Sequence, residues 1–136
     1  MQWLQRLPEW LARHGVLMLV SVIPGEEPGA NGESAAMLVA DQASCCSLGS
    51  THLDWEAVAI ARTLLKQGAR KKRLRFVPGA GADAISLLFE RLEPTEALLW
   101  RARAEAVSRG GRLLRVGLDA EERSQWRLAR DAECTE

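Results

Sequence analysis

One stretch constrains this chain more than any other: a loop of small residues that runs straight into an apolar helix signal. Ser47-Leu48-Gly49-Ser50-Thr51-His52-Leu53-Asp54-Trp55-Glu56 leads into Ala57–Leu65. Such a stretch fixes a helix start and gathers a hydroxyl, an imidazole and two carboxylates in its first turns. Two readings follow. Backbone N–H groups and polar side chains at a helix N-terminus can meet an anionic ligand. The same residues can simply cap the helix, with Thr51 and Asp54 spaced as a capping box in which Asp replaces the usual Glu.

The helix predicted from about His52 to Gln67 carries Leu53, Ala57, Ile60, Ala61, Leu64 and Leu65 on one face. Gly68 is a natural terminator, and Lys66 and Arg70 suit the negative end of the helix dipole. Upstream, Trp3, Leu7, Trp10, Leu11 and His14 fall at helical spacing, which predicts an amphipathic first helix that Pro8 either kinks or begins. Gly15 ends it. Val16–Ile23 reads as a buried strand, Pro24–Ser34 as a loop, Ala35–Ala40 as a second strand and Ser44–Leu48 as a short third one.

Downstream, Arg73–Val77 reads as a strand, and Ala84–Leu92 fits strand or helix by period alone. Glu93-Pro94-Thr95 opens a helix over about Glu96–Arg109, closed by Gly110-Gly111. Leu113–Leu118 reads as a final strand. Residues 119–136 read as a charged tail, a marginal helix or frayed chain, with Trp126 and Leu128 as its large apolar anchors. The pattern predicts a single α/β (α+β) domain over residues 1–118, with a small mixed β-sheet and flanking helices.

Composition narrows the function classes. The chain has 136 residues, 47% hydrophobic and 26% charged, with a formal net charge of zero. It is long enough to bury a core, and no global field draws it to nucleic acid or to a membrane surface. The longest apolar run, Ala35–Ala40, is far too short to span a bilayer. Glu9 and two early tryptophans argue against reading the first 23 residues as a signal peptide. Three cysteines, Cys45, Cys46 and Cys134, make no disulfide framework. A reducing, cytoplasmic setting fits them. Strand alternation places one thiol of the Cys45-Cys46 pair inward and the other outward.

Three further patterns are weighed against plain structure. The basic residues Lys66, Arg70, Lys71, Lys72, Arg73 and Arg75 lack interleaved aromatics, so they read as a solvated turn and a charge-protected edge strand. Gly79-Ala80-Gly81-Ala82-Asp83-Ala84 fits the G-x-G-x-x-A dinucleotide fingerprint only if Ala84–Leu92 is a helix. A Gly-rich turn between strands is the preferred reading. Ser50, His52 and Asp54 carry the letters of a hydrolase triad, but at i, i+2 and i+4 they splay apart.

Taken in order, four segments resemble the XdhC/CoxI family, accessory proteins of xanthine dehydrogenase and related molybdenum hydroxylases. Leu17–Ile23 is similar to the family's leading L-V-T-V-V strand. Ala35-Ala36-Met37-Leu38-Val39 is similar to the end of its G-A-K-M-L-V segment. Leu48-Gly49-Ser50-Thr51-His52-Leu53-Asp54-Trp55 is similar to its I-G-G-G-H-L-E-W helix start. Ser86-Leu87-Leu88-Phe89-Glu90-Arg91-Leu92 is similar to its T-L-L-F-E-R-L strand, which settles Ala84–Leu92 as β. The resemblance covers roughly Trp3–Leu118, the family's amino-terminal domain; its carboxy-terminal Rossmann-like domain has no counterpart here.

The resemblance implies a chaperone-like accessory protein, not an enzyme, that binds molybdenum cofactor and delivers it to a xanthine dehydrogenase-type hydroxylase subunit. Gly49 and His52 carry over by identity and Asp54 as a shortened Glu, with Ser50 and Thr51 in place of glycines. The family's G-S-x-P-R loop aligns with Glu27–Asn31, so its Arg is absent. Its G-Q-C-C-G-G cysteines are absent before Ala84, and Cys45-Cys46 offers a relocated thiol pair. With those groups gone, the expectation is weak or undetectable cofactor binding and retained protein contact. The alternatives are a non-catalytic interaction or homodimerisation module and a small-molecule enzyme using the Gly49–Asp54 loop. No nucleic acid or membrane partner is expected.

Overall fold

The computed structural model of the chain describes residues 2–23, 36–77, 84–121 and 123–129. Helix α1 (Gln2–His14) leads into strand β1 (Leu17–Ile23), then β2 (Ala36–Val39), β3 (Ser44–Cys46) and helix α2 (Thr51–Gln67). Strands β4 (Lys71–Phe76) and β5 (Ile85–Leu92) follow, then a 3-10 turn at Pro94–Glu96, helix α3 (Ala97–Ser108), and strands β6 (Arg112–Leu118) and β7 (Ser124–Ala129).

Five strands form one sheet in the order β3-β2-β1-β5-β4, and β6 and β7 pair as a separate ribbon. The α+β class stands as read from the sequence. The sheet itself is not mixed, because every strand pair is antiparallel. Short connections explain this: Leu74, Arg75 and Phe76 pair with Leu87, Ser86 and Ile85 across one hairpin, and a parallel pairing there would need a long crossover.

Strand β1 is the middle of the sheet and is buried on both faces, which is why it reads as an apolar run broken only by Ser21. Leu17 and Leu19 point to a core shared with Trp3, Leu4, Leu7 and Leu11 of α1, Trp100 and Ala104 of α3, and Leu113 of β6. Met18 and Val20 point the other way, to Leu53, Ala57, Ala61 and Leu64 of α2 and to Leu87 and Phe89 of β5. Helix α1 runs through Pro8, which is buried with its apolar stripe. Packing therefore outweighs the lost backbone hydrogen bond and ring clash that proline brings to a helix interior. Gln5 ties α1 to α3: its Nε2 donates to the Ala104 carbonyl at 3.2 Å, and its Oε1 accepts from Ser108 Oγ at 3.2 Å.

The segment after Asp119 departs from the sequence reading. Ser124–Ala129 is a strand, not a marginal helix or frayed end, and it pairs with β6. Residues 130–136 lie outside the described residues. Trp126 packs against Trp3 and Trp100 with ring centroids 5.5 and 6.2 Å away. A buried polar cluster fastens the ribbon to the sheet. Glu90 is 3% exposed; its carboxylate accepts from Ser124 N at 2.9 Å and from Ser124 Oγ at 2.6 Å. Arg115 donates to Ser124 Oγ, to the Val22 carbonyl and to Ser21 Oγ. Burial lowers the Arg115 guanidinium from its usual range, and nearby Glu90 opposes that shift.

The other predicted helices and strands stand, and the predicted loop Pro24–Ser34 lies outside the described residues. Strand β5 replaces the helix that the Gly79–Ala84 fingerprint required, so that nucleotide reading falls, although residues 78–83 lie outside the described residues. The basic β4 is an edge strand. Gly68 ends α2 at φ 73, and its N–H and that of Ala69 satisfy the last carbonyls. Of the predicted α2 face, Leu53, Ala57, Ala61 and Leu64 are buried, whereas Ile60 and Leu65 only flank the core.

The N-cap is Ser50 and not Thr51. Ser50 has extended backbone (φ −142, ψ 129), and its Oγ accepts from Leu53 N at 3.4 Å. Thr51 is already the first helical residue. Ser50→Ala should therefore lower the unfolding free energy by about 0.5–2 kcal/mol, while Thr51→Ala leaves it within roughly 0.5 kcal/mol of wild type. Urea denaturation of the two variants checks the assignment, and the reverse ranking would contradict it.

Candidate functional site

The site forms where the edge strand β3 turns into α2. Asp54 folds back from the first helical turn onto the preceding loop. Its Oδ2 accepts from Ser47 Oγ at 2.6 Å and its Oδ1 from Leu48 N at 2.7 Å. Ser47 Oγ in turn accepts from Gly49 N at 2.9 Å. A carboxylate in the first turn suits the positive end of the helix dipole. Here it holds the Ser47 hydroxyl and Leu48 N–H, and Ser47 holds the Gly49 N–H, so these three donors are engaged within the loop.

A groove of about 520 Å³ opens beside this loop, between the sheet edge and α2. Met37, Ser44 and Cys46 form its sheet side, and Thr51, Asp54, Trp55, Val58 and Arg62 line the helix side. The volume lies within the roughly 300–1,000 Å³ of small-ligand sites. Arg62 makes one side-chain hydrogen bond among the described residues, from Nε to the Ala40 carbonyl at 3.5 Å. That leaves most of its guanidinium donors for a ligand. Trp55 stands on the rim, 78% exposed.

Of the residues singled out from the sequence, Cys46, Thr51 and Asp54 line the groove. Gly49, Ser50 and His52 do not: Gly49 shapes the loop at φ 105, Ser50 caps the helix and His52 is exposed. Ser50 and Asp54 are thus engaged in separate local contacts, and with His52 they form no relay. Arg62 was missed by the sequence reading. The available signal was the spacing of Thr51, Asp54, Trp55, Val58 and Arg62, a second helical stripe beside the buried one.

The cysteines break the expected alternation. Cys45 pairs with Leu38 and Cys46 with Met37, which should put the thiols on opposite faces. Instead Cys46 sits at φ 71, a conformation uncommon for residues other than glycine. Its Sγ lies 3.7 Å from Cys45 Sγ. Both residues are half-buried, so neither simply faces inward or outward. Burial, reinforced by Cys46, pushes the Cys45 thiol up to about 11, against a smaller opposing pull from Arg6.

No family model and no curated protein matches the chain. Among solved structures, a Bacillus halodurans protein named as a xanthine dehydrogenase shares the fold at a TM-score of 0.65 and 16% identity. The match covers 94% of this chain and 42% of that one, so the chain spans about two fifths of that protein's length. Within the described residues no helix is long and apolar enough to cross a membrane.

The raised Cys45 thiol has a definite sign. The folded chain holds this proton more tightly than the unfolded chain. Its contribution to stability is complete below the ordinary value of 9.0 and lost as pH climbs towards about 11. Alkylation of Cys45 by iodoacetamide, followed by peptide mass, should stay slow near neutral pH and accelerate only well above pH 9. Labelling at pH 8 as fast as that of a free cysteine peptide would contradict the assignment.

Proposed function

We propose that this chain is a non-catalytic accessory protein of xanthine dehydrogenase-type molybdenum hydroxylases, a diverged relative of XdhC/CoxI amino-terminal domains. It acts in the cytoplasm, and its partner is a hydroxylase subunit. The observation that carries the reading is the α2 groove, where Cys46 and Arg62 line one cavity. A thiol and a guanidinium are the two kinds of group missing at the family's own positions. The fold likeness to the Bacillus halodurans protein agrees with this assignment.

The donor set fits a molybdopterin-type ligand. A guanidinium binds phosphate through paired hydrogen bonds, and a thiol suits soft metal–sulfur chemistry. Asp54 repels phosphate at the loop end of the groove. Arg62, two helical turns and about 12 Å along α2, draws it to the far end. The cofactor's chemistry belongs to the hydroxylase that receives it; the residues here bind, orient and shield. A second reading, a pure interaction module or homodimer, is favoured by the exposed Trp55 on the groove rim, since exposed aromatics of this kind anchor protein interfaces.

Anaerobic titration calorimetry with intact molybdenum cofactor tests the proposal. The expected result is one-to-one binding, stronger than the departures in sequence alone predict. Arg62→Glu should weaken it by about tenfold or more, the equivalent of one lost charged hydrogen-bonding contact. No measurable binding by the wild-type chain would remove the cofactor reading and leave the interaction module.

A further inference from the structure

Helix α3 is apolar on two opposite sides. Trp100 and Ala104 point into the core shared with α1. Leu98, Leu99 and Ala102, three and four residues apart on the other side, face solvent. Leu98 is 77% exposed and Leu99 49%. A helix that is apolar all round is ordinarily covered all round, and leucines that adjoin on one exposed face mark a contact surface. This face lies across the sheet from the α2 groove, because α2 belongs to the other core.

The residues beside the leucines point to what covers it. Arg101 and Glu105 are both exposed, one turn apart along one flank of the stripe. A second α3, laid antiparallel about a two-fold axis at Ala102, matches this pattern. Leu98 of each copy then faces the half-buried Ala106 of the other, and the two Ala102 methyls meet on the axis. Small side chains at the crossing let the helices approach closely. Arg101 of one copy stands only about 3 Å along the helix axis from Glu105 of the other, within reach of both side chains. The symmetry makes both charge pairs at once, as a contact between identical surfaces requires. A parallel pairing would turn the Arg101 and Glu105 flank away from its copy.

We propose that the outer face of α3 is a homodimer interface, in which two α3 helices pack antiparallel about Ala102. The interface goes beyond the accessory reading and does not rest on it. It leaves both α2 grooves uncovered.

Sedimentation equilibrium of the full, reduced chain over a wide concentration range tests the proposal. A lone helix pair is a small interface, so a reversible monomer–dimer equilibrium is expected. Leu98→Glu should weaken it by about tenfold or more, as loss of a central apolar anchor does. Its far-UV circular dichroism should match wild type, because Leu98 lies largely outside the core. Arg101→Glu and Glu105→Arg should each weaken association, and the two together should restore it, since the exchange regenerates both pairs. Trp55→Ala should leave it unchanged. A wild-type chain that stays monomeric at its highest soluble concentration, a dimer indifferent to Leu98→Glu, or a charge exchange that fails to restore association would overturn the proposal. So would a dimer lost in Trp55→Ala, which would place the interface at the groove rim. None of these outcomes bears on cofactor binding through Arg62.

Discussion

Burial of β1 on both faces is the constraint from which the rest of the fold follows. A central strand with Leu17 and Leu19 on one side and Met18 and Val20 on the other cannot leave either sheet face open to water. Each fully buried side chain of this kind is worth about 1.5–3 kcal/mol. One face is closed by α2 alone. The other needs α1, α3 and the β6–β7 ribbon together. Antiparallel sheets commonly keep one face wet; this one does not, and the cladding on its two sides differs in kind.

That asymmetry positions the site. Helix α2 covers the sheet but stops short of filling the edge where β3 ends, and the groove is the space left over. Asp54 makes the corner rigid by tying Ser47 and Leu48 to the helix. On the opposite face Glu90, Arg115 and Ser124 lock the ribbon in place. A buried carboxylate and guanidinium are costly to desolvate, and they persist only when hydrogen bonds satisfy them. The ribbon supplies those bonds through Ser124, so it is as much a part of the domain as the helices.

Much of this was legible in the sequence, for physical reasons that differ from element to element. Leu17–Ile23 and Ala36–Val39 announce themselves because doubly buried strands are apolar on both faces, with Ser21 as the polar exception in the first. Gly68 marks the end of α2 because the terminator needs a left-handed backbone. Ser124–Ala129 was not legible: its alternation is weak, and its stability comes from pairing with β6 and from Trp126 meeting residues over a hundred positions away. Of the groove residues, Thr51 and Asp54 stood out through the chemistry of the helix start and Cys46 through the family resemblance. Arg62 did not, since a lone arginine on a helix reads as surface until the neighbouring sheet edge gives it a cavity to face. The thiol pair was misplaced because strand alternation is a rule for regular backbone, and Cys46 is not regular.

The central claim is that the two-faced sheet is closed on one side by the β6–β7 ribbon. Native-state hydrogen exchange on the full chain measures this directly. Backbone amides of β7 that donate to β6 should be protected within the same cooperative unit as the ribbon's own β6 and the β5 strand that carries Glu90. Exchange of the Gln125–Leu128 amides at the rate of free chain, with β1 and β5 still protected, would contradict the account and return this segment to a frayed tail.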